Sequence, residues 1–336
     1  MQKIAQVLYK FSTHFIQVFS FLLVLLLFLG SFLATCYSTD MTSQKVLTRL
    51  DHPLWNLAGT ALFVFLVLLA ARFLDSNRKT SILTITVLLW SCTIGAILIV
   101  FGRTVPAADA MSVYAAAEEL AGGSTAVIHP TGSYLSYYPQ QVGLVAFFEL
   151  LIRLWNLLPF QVPAYHFIKC IYVLLACVII LFQKYTVRLL WHDRQAENLY
   201  LLLAALNLPF LMYTSFVYGE IPSFAAISGG LYFLLKLFGL KRVLSAPFTE
   251  TVSPGNSSLK SAYACVLLSL ALLTLGVMLR KNNLILVLAV LIVLLLQGLR
   301  EKRTGLLLFA LLCGLCCFSI LPLVQKAYEN MAGSTL

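Results

Sequence analysis

Ten apolar runs of 16 to 20 residues fill more than half of this 336-residue chain and limit its fold more than any other feature. A bilayer core is crossed by about 20 apolar residues in a helix. A segment alone in lipid must satisfy its backbone hydrogen bonds internally, so each run predicts a helix. The runs are Phe15–Ala34, Leu54–Ala71, Ile82–Phe101, Val142–Leu158, Tyr165–Phe182, Leu199–Phe216, Ile221–Leu240, Ala262–Leu279, Leu284–Leu299 and Leu306–Val324.

Composition supports the same class of protein. Hydrophobic residues make up 60% of the chain and charged residues 11%, against about 25% charged in average soluble domains. Such a chain is neither an ordinary soluble domain nor intrinsically disordered. We therefore predict an all-α, polytopic integral membrane protein with about nine or ten transmembrane helices. Residues 1–336 are expected to form one membrane domain that is embedded in the lipid bilayer.

The net charge of +10 is explained by membrane topology and not by nucleic-acid binding. Lysine and arginine collect in cytoplasmic loops of membrane proteins. With the N-terminus inside, fifteen basic residues fall in predicted inner segments and six in outer ones. The bias predicts a multi-pass plasma-membrane protein that has a cytoplasmic N-terminus and no nucleic-acid partner.

This orientation requires residues 142–182 to cross the membrane once, although they contain two apolar runs. The first run, Val142–Leu158, is short, and it contains Glu149 and Arg153 at i,i+4 spacing, which favours an ion pair. We predict a re-entrant or interfacial helix here, giving nine crossings and an outer C-terminus. Ten crossings, the alternative, would invert everything downstream and remove the charge bias.

Residues 102–141 then form the one long outer loop, where chemistry is most expected because loops on a rigid scaffold carry function. The pattern predicts a helix over Asp109–Leu120 that ends at Gly122. Asp109 has two interpretations, a helix N-cap or a carboxylate acting as a base. Later in this loop the segment Tyr134–Gln141 contains three tyrosines, a proline and two glutamines, which are suited to hold a sugar by stacking and hydrogen bonding. The candidate binding residues within it are Tyr137, Tyr138, Gln140 and Gln141.

Three charged residues outside this loop also bear on function. Glu220 comes just before the run Ile221–Leu240, where an acid has either a structural or a functional role. Arg280 and Lys281 lie on the outer side, against the positive-inside trend. Arginine binds phosphate through bidentate hydrogen bonds, so binding of a lipid phosphate would explain why this basic pair lies on the outer side. The alternative is ordinary cytoplasmic charge and a different topology.

These pieces together resemble the GT-C glycosyltransferases, the group of the protein O-mannosyltransferases and the lipid A aminoarabinose transferases. The resemblance rests on the outward helix Ile82–Phe101, the acidic residue Asp109 in the first large outer loop, and Tyr138-Pro139-Gln140-Gln141 opening the next helix. It implies a core over 81–299, with two extra helices over 1–80 and a last helix and outer tail over 300–336.

The resemblance implies an inverting bacterial enzyme that transfers a sugar from a polyprenyl-phosphate carrier to an envelope glycan, lipid or protein on the outer face. Asp109 would be the base, and Tyr137, Tyr138, Gln140, Gln141, Glu220, Arg280 and Lys281 would bind substrate. No cofactor is required, although a divalent metal is compatible with the chemistry. The alternatives are a transporter or lipid flippase, and a non-enzymatic membrane scaffold.

The predicted topology can be tested by labelling single cysteines in a cysteine-free background. A probe at Ser124, in the long loop, should react from the outer side, and so should a probe at Ser334 near the C-terminus. Reaction of Ser124 only from the cytoplasmic side would place the loop on the wrong face. The same result at Ser334 would contradict the nine crossings.

Overall fold

The computed structural model describes residues 2–38, 46–102, 104–128, 132–160, 162–244, 256–301 and 304–333. It is 85% helical. The helices are α1 Gln2–Leu33, α2 Pro53–Phe73, α3 Asn77–Val100, α4 Asp109–Ala121, α5 Tyr134–Tyr137, α6 Val142–Asn156, α7 Ala164–Trp191, α8 Arg194–Leu206, α9 Leu208–Met212, α10 Glu220–Leu244, α11 Asn256–Leu279, α12 Leu284–Glu301 and α13 Thr304–Ala332.

Within the described ranges, seven helices are long and apolar enough to cross a membrane, or eight if a bent pair forms one crossing. The seven lie in α1, α2, α3, α7, α11, α12 and α13. The prediction of an all-α protein embedded in a membrane is therefore confirmed at this level. The finer count of nine or ten crossings, the plasma membrane and the GT-C architecture remain predictions.

A short antiparallel ribbon follows α1, in a chain expected to be entirely helical. Strand β1, Ala34–Ser38, pairs with β2, Val46–Leu50, so that Ala34 faces Leu50 and Ser38 faces Val46. The Thr35 hydroxyl donates a 2.7 Å hydrogen bond to Asp51 Oδ2 beside it. The ribbon lies between α1 and α2, outside the segments that apolar length identifies as helices.

The run Leu199–Phe216, predicted as one helix, is divided into two helical segments in the structure. The helix breaks at Asn207, and α8 and the following segment Leu208–Ser215 meet at 57°. Asn207 caps the new helix by accepting a 3.2 Å hydrogen bond from the Phe210 amide. Pro209 has no amide hydrogen and cannot continue the hydrogen bonding of α8, which accounts for the break.

Helix α6 is too short to cross a bilayer, because its 15 residues rise roughly 22 Å against a core of about 30 Å. This agrees with the expectation for Val142–Leu158. Its inner face is buried from Val142 to Ile152. The predicted ion pair is confirmed, since Arg153 Nε lies 2.8 Å from Glu149 Oε1, and Arg153 also donates to the Leu120 carbonyl of α4.

Helix α13 continues to Ala332, eight residues beyond the apolar run Leu306–Val324. Pro322 lies within the helix without ending it. The extension is held because the Tyr328 hydroxyl donates a hydrogen bond to Glu149 Oε2 on α6. The end of α13 therefore lies beside α4 and α6, at the end of the bundle that carries residues 102–141.

Helix α6 is docked on α11 through a glycine. A Cβ placed on Gly143 would lie 2.1 Å from the Met278 carbonyl oxygen, so a larger residue cannot fit without a backbone shift. The same region forms the largest buried apolar cluster, which includes Leu144, Phe148 and Ile168. The start of α6 is thus held against the end of α11, and both elements carry predicted site residues.

Replacing Gly143 with alanine should lower the apparent melting temperature of the protein in detergent. Overpacking in a tight contact costs about 1–3 kcal/mol, which exceeds the roughly 1 kcal/mol that alanine gains over glycine in a helix. Gly59→Ala in α2 is the matched control, because a Cβ there meets nothing within 4 Å. The control should melt at or above the parent temperature. Equal melting of both variants would show that α6 is not tightly docked.

Candidate functional site

Six side chains from separate parts of the sequence meet at the end of the bundle that carries residues 102–141. They come from the start of α4, from α5, from the turn before α6, from the two sides of the start of α10, and from the end of α11. We call this group the polar cluster: Asp109, Tyr134, Gln141, Tyr218, Glu220 and Arg280. Four of the six are predicted site residues, and the fold brings together positions up to 171 residues apart.

Tyr218 lies at the centre of the polar cluster. Its hydroxyl accepts a 2.6 Å hydrogen bond from Gln141 Nε2, and the Tyr134 side chain lies near enough to affect its pKa. The guanidinium carbon of Arg280 lies 5.7 Å from the centre of its ring. Its backbone carbonyl accepts a hydrogen bond from the hydroxyl of Tyr172, a fully buried residue of α7. The position of Tyr218 is therefore fixed from both its side chain and its backbone.

Glu220 and Arg280 form an ion pair that joins the start of α10 to the end of α11. Both side chains are about one-third exposed, at 31% and 33%. One carboxylate oxygen, Glu220 Oε2, is buried and accepts no hydrogen bond from the described residues. The pair thus fixes the Arg280 guanidinium in place, and Glu220 Oε2 can still accept a hydrogen bond from another group.

Asp109 is not the N-cap of α4, which corrects that interpretation of this residue. The cap position is Ala108, and no side chain caps the helix. Ala108 has a positive φ of 50°, a conformation that residues with a Cβ rarely adopt and that costs roughly 1–3 kcal/mol. Asp109 is the first helical residue and is exposed. Its exposed carboxylate is therefore free of the capping role.

The two tyrosines of the cluster hold their protons more tightly than usual. Burial raises the pKa of Tyr134, and neighbouring Tyr218 and Asp109 raise it further. Burial also raises the pKa of Tyr218, with Asp109 and Glu220 adding to it, while Tyr134 and Arg280 oppose the change. Both hydroxyls therefore remain protonated at neutral and mildly alkaline pH. They are available as hydrogen-bond donors to a polar ligand.

The other predicted residues lie around the cluster and not within it. The ring of Tyr138 lies 5.1 Å from that of Tyr134, between centroids, at a tilt of 39°. Tyr138 is 45% exposed, whereas Tyr137 is 71% exposed. Gln140 is half-buried in the turn before α6, and Lys281 is exposed next to Arg280. These four side chains form the rim of the site, in reach of a ligand that covers the cluster.

Tyr218 was not among the predicted site residues, and Tyr134 was identified only as part of the predicted sugar-binding segment. Tyr134 begins the aromatic segment 134–141, and Tyr218 comes two residues before Glu220. Their closeness to predicted residues was the available signal. It was weak because tyrosine is enriched at membrane interfaces in any case.

Lys169 of α7 is a further charged residue that sequence reasoning did not assign. Its side chain is 1% exposed, and its ammonium donates hydrogen bonds of 2.7 and 2.8 Å to the carbonyl and hydroxyl oxygens of Thr104. The ammonium also lies 4.6 Å from the centre of the Tyr165 ring. These contacts anchor the segment that leads to Asp109. A lysine within an apolar run was the signal, because intramembrane charges are rare and usually functional.

The Glu220–Arg280 pair should stabilise the fold by a measurable coupling. In a double-mutant cycle of Glu220→Gln, Arg280→Gln and the double variant, we expect a coupling of roughly 0.5–3 kcal/mol. Removing one partner leaves a partly buried charge unpaired, so each single variant should melt below the double variant. Lys281→Gln removes an adjacent exposed charge and should melt like the parent protein. Additive effects of the two single variants would show that the pair is not coupled.

The polar cluster combines several kinds of functional group. They are the exposed Asp109 carboxylate, the hydroxyls of Tyr134 and Tyr218, the Gln141 amide, and the Arg280 guanidinium in its ion pair with Glu220. Among the described residues, no three side chains of His, Cys, Asp or Glu are grouped as metal ligands. Cys313 and Cys317, whose spacing imitates a metal site, are buried in the packing of α13. No protein-family model matches the chain, and its comparison with curated proteins and with solved structures likewise finds no match.

Proposed function

We propose that this protein is a membrane glycosyltransferase of GT-C type, which moves a sugar from a polyprenyl-phosphate carrier to an acceptor hydroxyl on the outer face of a bacterial plasma membrane. The main support is the convergence of Asp109, Gln141, Glu220 and Arg280 around Tyr218. A proton acceptor, sugar-binding groups and a phosphate-binding group lie at one end of a lipid-embedded helical bundle. This is the set of groups that such a transfer requires.

Asp109 is the general base of the proposed reaction. An acceptor hydroxyl attacks the anomeric carbon while Asp109 takes its proton. The new bond joins the acceptor oxygen to the anomeric carbon, and the bond from that carbon to the phosphate oxygen breaks. Attack opposite the leaving group inverts the anomeric centre. The carboxylate needs to be accessible to the acceptor, and the exposure of Asp109 at the start of α4 meets that need.

Arg280 and Lys281 bind the phosphate that leaves with the lipid. Phosphate gains negative charge as the glycosidic bond breaks, and fixed cations stabilise that charge most when they are already in position. Glu220 holds the Arg280 guanidinium against the Tyr218 ring. Lys281, exposed on the next residue, supplies a second cation.

The sugar lies on the aromatic side of the cluster in this proposal. Tyr134 and Tyr218 donate hydrogen bonds from hydroxyls that remain protonated, and Gln141 is fixed beside them by its bond to Tyr218. Tyr137, Tyr138 and Gln140 form the exposed rim, where rings stack on a sugar face and the amide bonds its hydroxyls. No step of this scheme needs a metal ion.

A transporter or lipid flippase is the second candidate. Lys169 favours it, because a buried intramembrane lysine without a carboxylate partner among the described residues is typical of ion and substrate pathways. In the first proposal, the same lysine only anchors the segment before Asp109. The two candidates differ in whether a glycosidic bond is broken.

Asp109→Asn should reduce sugar transfer by about two orders of magnitude, because general-base catalysis contributes about 10²–10⁴-fold. The measurement is transfer of labelled sugar from a panel of polyprenyl-phosphate hexoses and pentoses by purified protein. Asparagine keeps the shape of the side chain, and the loss of a charge at a helix start costs only about 0.3–1 kcal/mol. Melting should therefore change little.

Glu118→Gln is the matched control, because it removes an exposed carboxylate from the same helix. It should transfer sugar at the parent rate. Parent-level transfer by Asp109→Asn would remove Asp109 as the base and make Glu220 the next candidate. Absence of transfer by the parent from every donor, together with sugar or lipid movement into liposomes, would favour the transporter.

A further inference from the structure

A polar pocket lies between α3, α7 and α8, at the end of the bundle opposite the polar cluster. Helices α3 and α7 run antiparallel, since Thr104 meets Lys169 near one end and Cys92 lies 3.7 Å from Cys177 further along. The start of α3 therefore meets the end of α7. Between them and the start of α8 is a cavity of about 570 Å³, within the usual size range of ligand sites. We call it the interhelical pocket.

One wall of the interhelical pocket is the start of α3, which contributes Asn77, Thr80 and Ser81. Thr80 is 5% exposed, and its hydroxyl has no hydrogen-bond partner among the described residues. A buried hydroxyl without a partner costs about 1–3 kcal/mol. The start of the 24-residue helix α3 lies in the same wall, where Ser76 caps the Lys79 amide and the earlier amides favour an anion. This wall presents donors that need an acceptor.

The opposite wall carries a cation that has no counter-charge. Arg188 lines the pocket and pairs with no acidic side chain of the described residues. Of the other basic side chains that line the pocket, Lys184 lies 3.0 Å from Glu197 and Arg194 lies 4.0 Å from Asp75. His192 also lines the pocket and pairs with no acidic side chain of the described residues.

The acidic groups of the pocket are occupied as well. Glu197 is 2% exposed and bound to Lys184. Asp193 caps α8 by accepting hydrogen bonds from the amides of Gln195 and Ala196, at 3.0 and 3.3 Å. Neither carboxylate forms an ion pair with Arg188, although Asp193 keeps its negative charge in the lining of the pocket. The donors that remain free are the Arg188 guanidinium, the buried Thr80 hydroxyl and the first amides of α3, apart from the Lys79 amide, which Ser76 binds.

We propose that the interhelical pocket binds a phosphate group and that its usual source is the headgroup of an anionic phospholipid. Arginine binds phosphate oxygens with two parallel hydrogen bonds, and basic pockets between membrane helices are known to bind phosphorylated headgroups. The level of the pocket also fits a lipid. Leu190 and Trp191, at the end of α7, are 52% and 62% exposed, as expected for side chains at the boundary between acyl chains and headgroups.

Native mass spectrometry of the whole protein in detergent, with phosphatidylglycerol or phosphatidylcholine added, tests the proposal. The parent should retain phosphatidylglycerol preferentially. Arg188→Gln and Thr80→Val should each weaken that retention, by about tenfold for Arg188→Gln because a charge-assisted hydrogen bond is lost. Arg72→Gln is the control, because Arg72 lies exposed at the end of α2, at the same end of the bundle, and does not line the pocket.

Thr80→Val separates a binding role from a structural one. Without a ligand the threonine hydroxyl has no partner, so valine should leave the melting temperature unchanged or higher. Loss of lipid retention in a variant that melts normally would support the phosphate site.

Titration with inorganic phosphate and with glycerol 3-phosphate identifies the source of the phosphate. If either compound raises the melting temperature of the parent but not that of Arg188→Gln, the result would support phosphate binding. If the parent also shows no preference for phosphatidylglycerol over phosphatidylcholine, the phosphate comes from a soluble compound. No lipid preference and no response to either phosphate compound would overturn the proposal. So would equal loss of lipid from Arg72→Gln and Arg188→Gln.

Discussion

The contact between Gly143 and the Met278 carbonyl holds together the end of the molecule that carries the polar cluster. Because Gly143 has no side chain, α6 lies directly against α11, two residues before Arg280. Gln141, just ahead of α6, then reaches Tyr218, and Arg280 lies over the ring of the same tyrosine. A short helix that does not cross the bilayer thus positions two groups that are 139 residues apart in the sequence.

The bilayer explains why the polar chemistry lies at the two ends of the bundle. An ionisable side chain in lipid is costly unless it is paired or hydrogen-bonded. The buried charges follow this rule, since Lys169 binds Thr104, Glu149 binds Arg153 and Tyr328, and Lys184 binds Glu197. Three buried side-chain atoms of the described residues have no hydrogen-bond partner: Glu220 Oε2 in the polar cluster, Thr80 Oγ1 in the interhelical pocket and Asn198 Oδ1 on α8. A ligand can reach the first two sites from water or from the headgroup layer.

Several site residues were predictable because their chemistry conflicts with their surroundings. Arg280 is basic on the predicted outer side, and Glu220 is acidic where two apolar runs meet. Tyr218, at the centre of the cluster, was not assigned, because an interfacial tyrosine is ordinary and its partners Gln141 and Arg280 are distant in sequence. Asp109 was assigned as a cap or a base from its place before a helix. The structure excludes the cap interpretation, because Ala108 and not Asp109 occupies the N-cap position of α4.

The sequence by itself determined where the helices lie, because in lipid an apolar run of sufficient length has no alternative to internal hydrogen bonding. Local chemistry also predicted the Glu149–Arg153 pair, whose spacing is a property of one helix. Hydropathy does not indicate the break at Asn207, because that break depends on one cap and one proline. It does not indicate the continuation of α13 to Ala332 either, because this depends on a contact with α6. Which helix ends meet was decided by tertiary structure alone. Hydropathy indicates that a segment lies in lipid, but it does not indicate which helix packs against that segment. The packing partner depends on close contacts, as at Gly143, and on ion pairs and hydrogen bonds between helices.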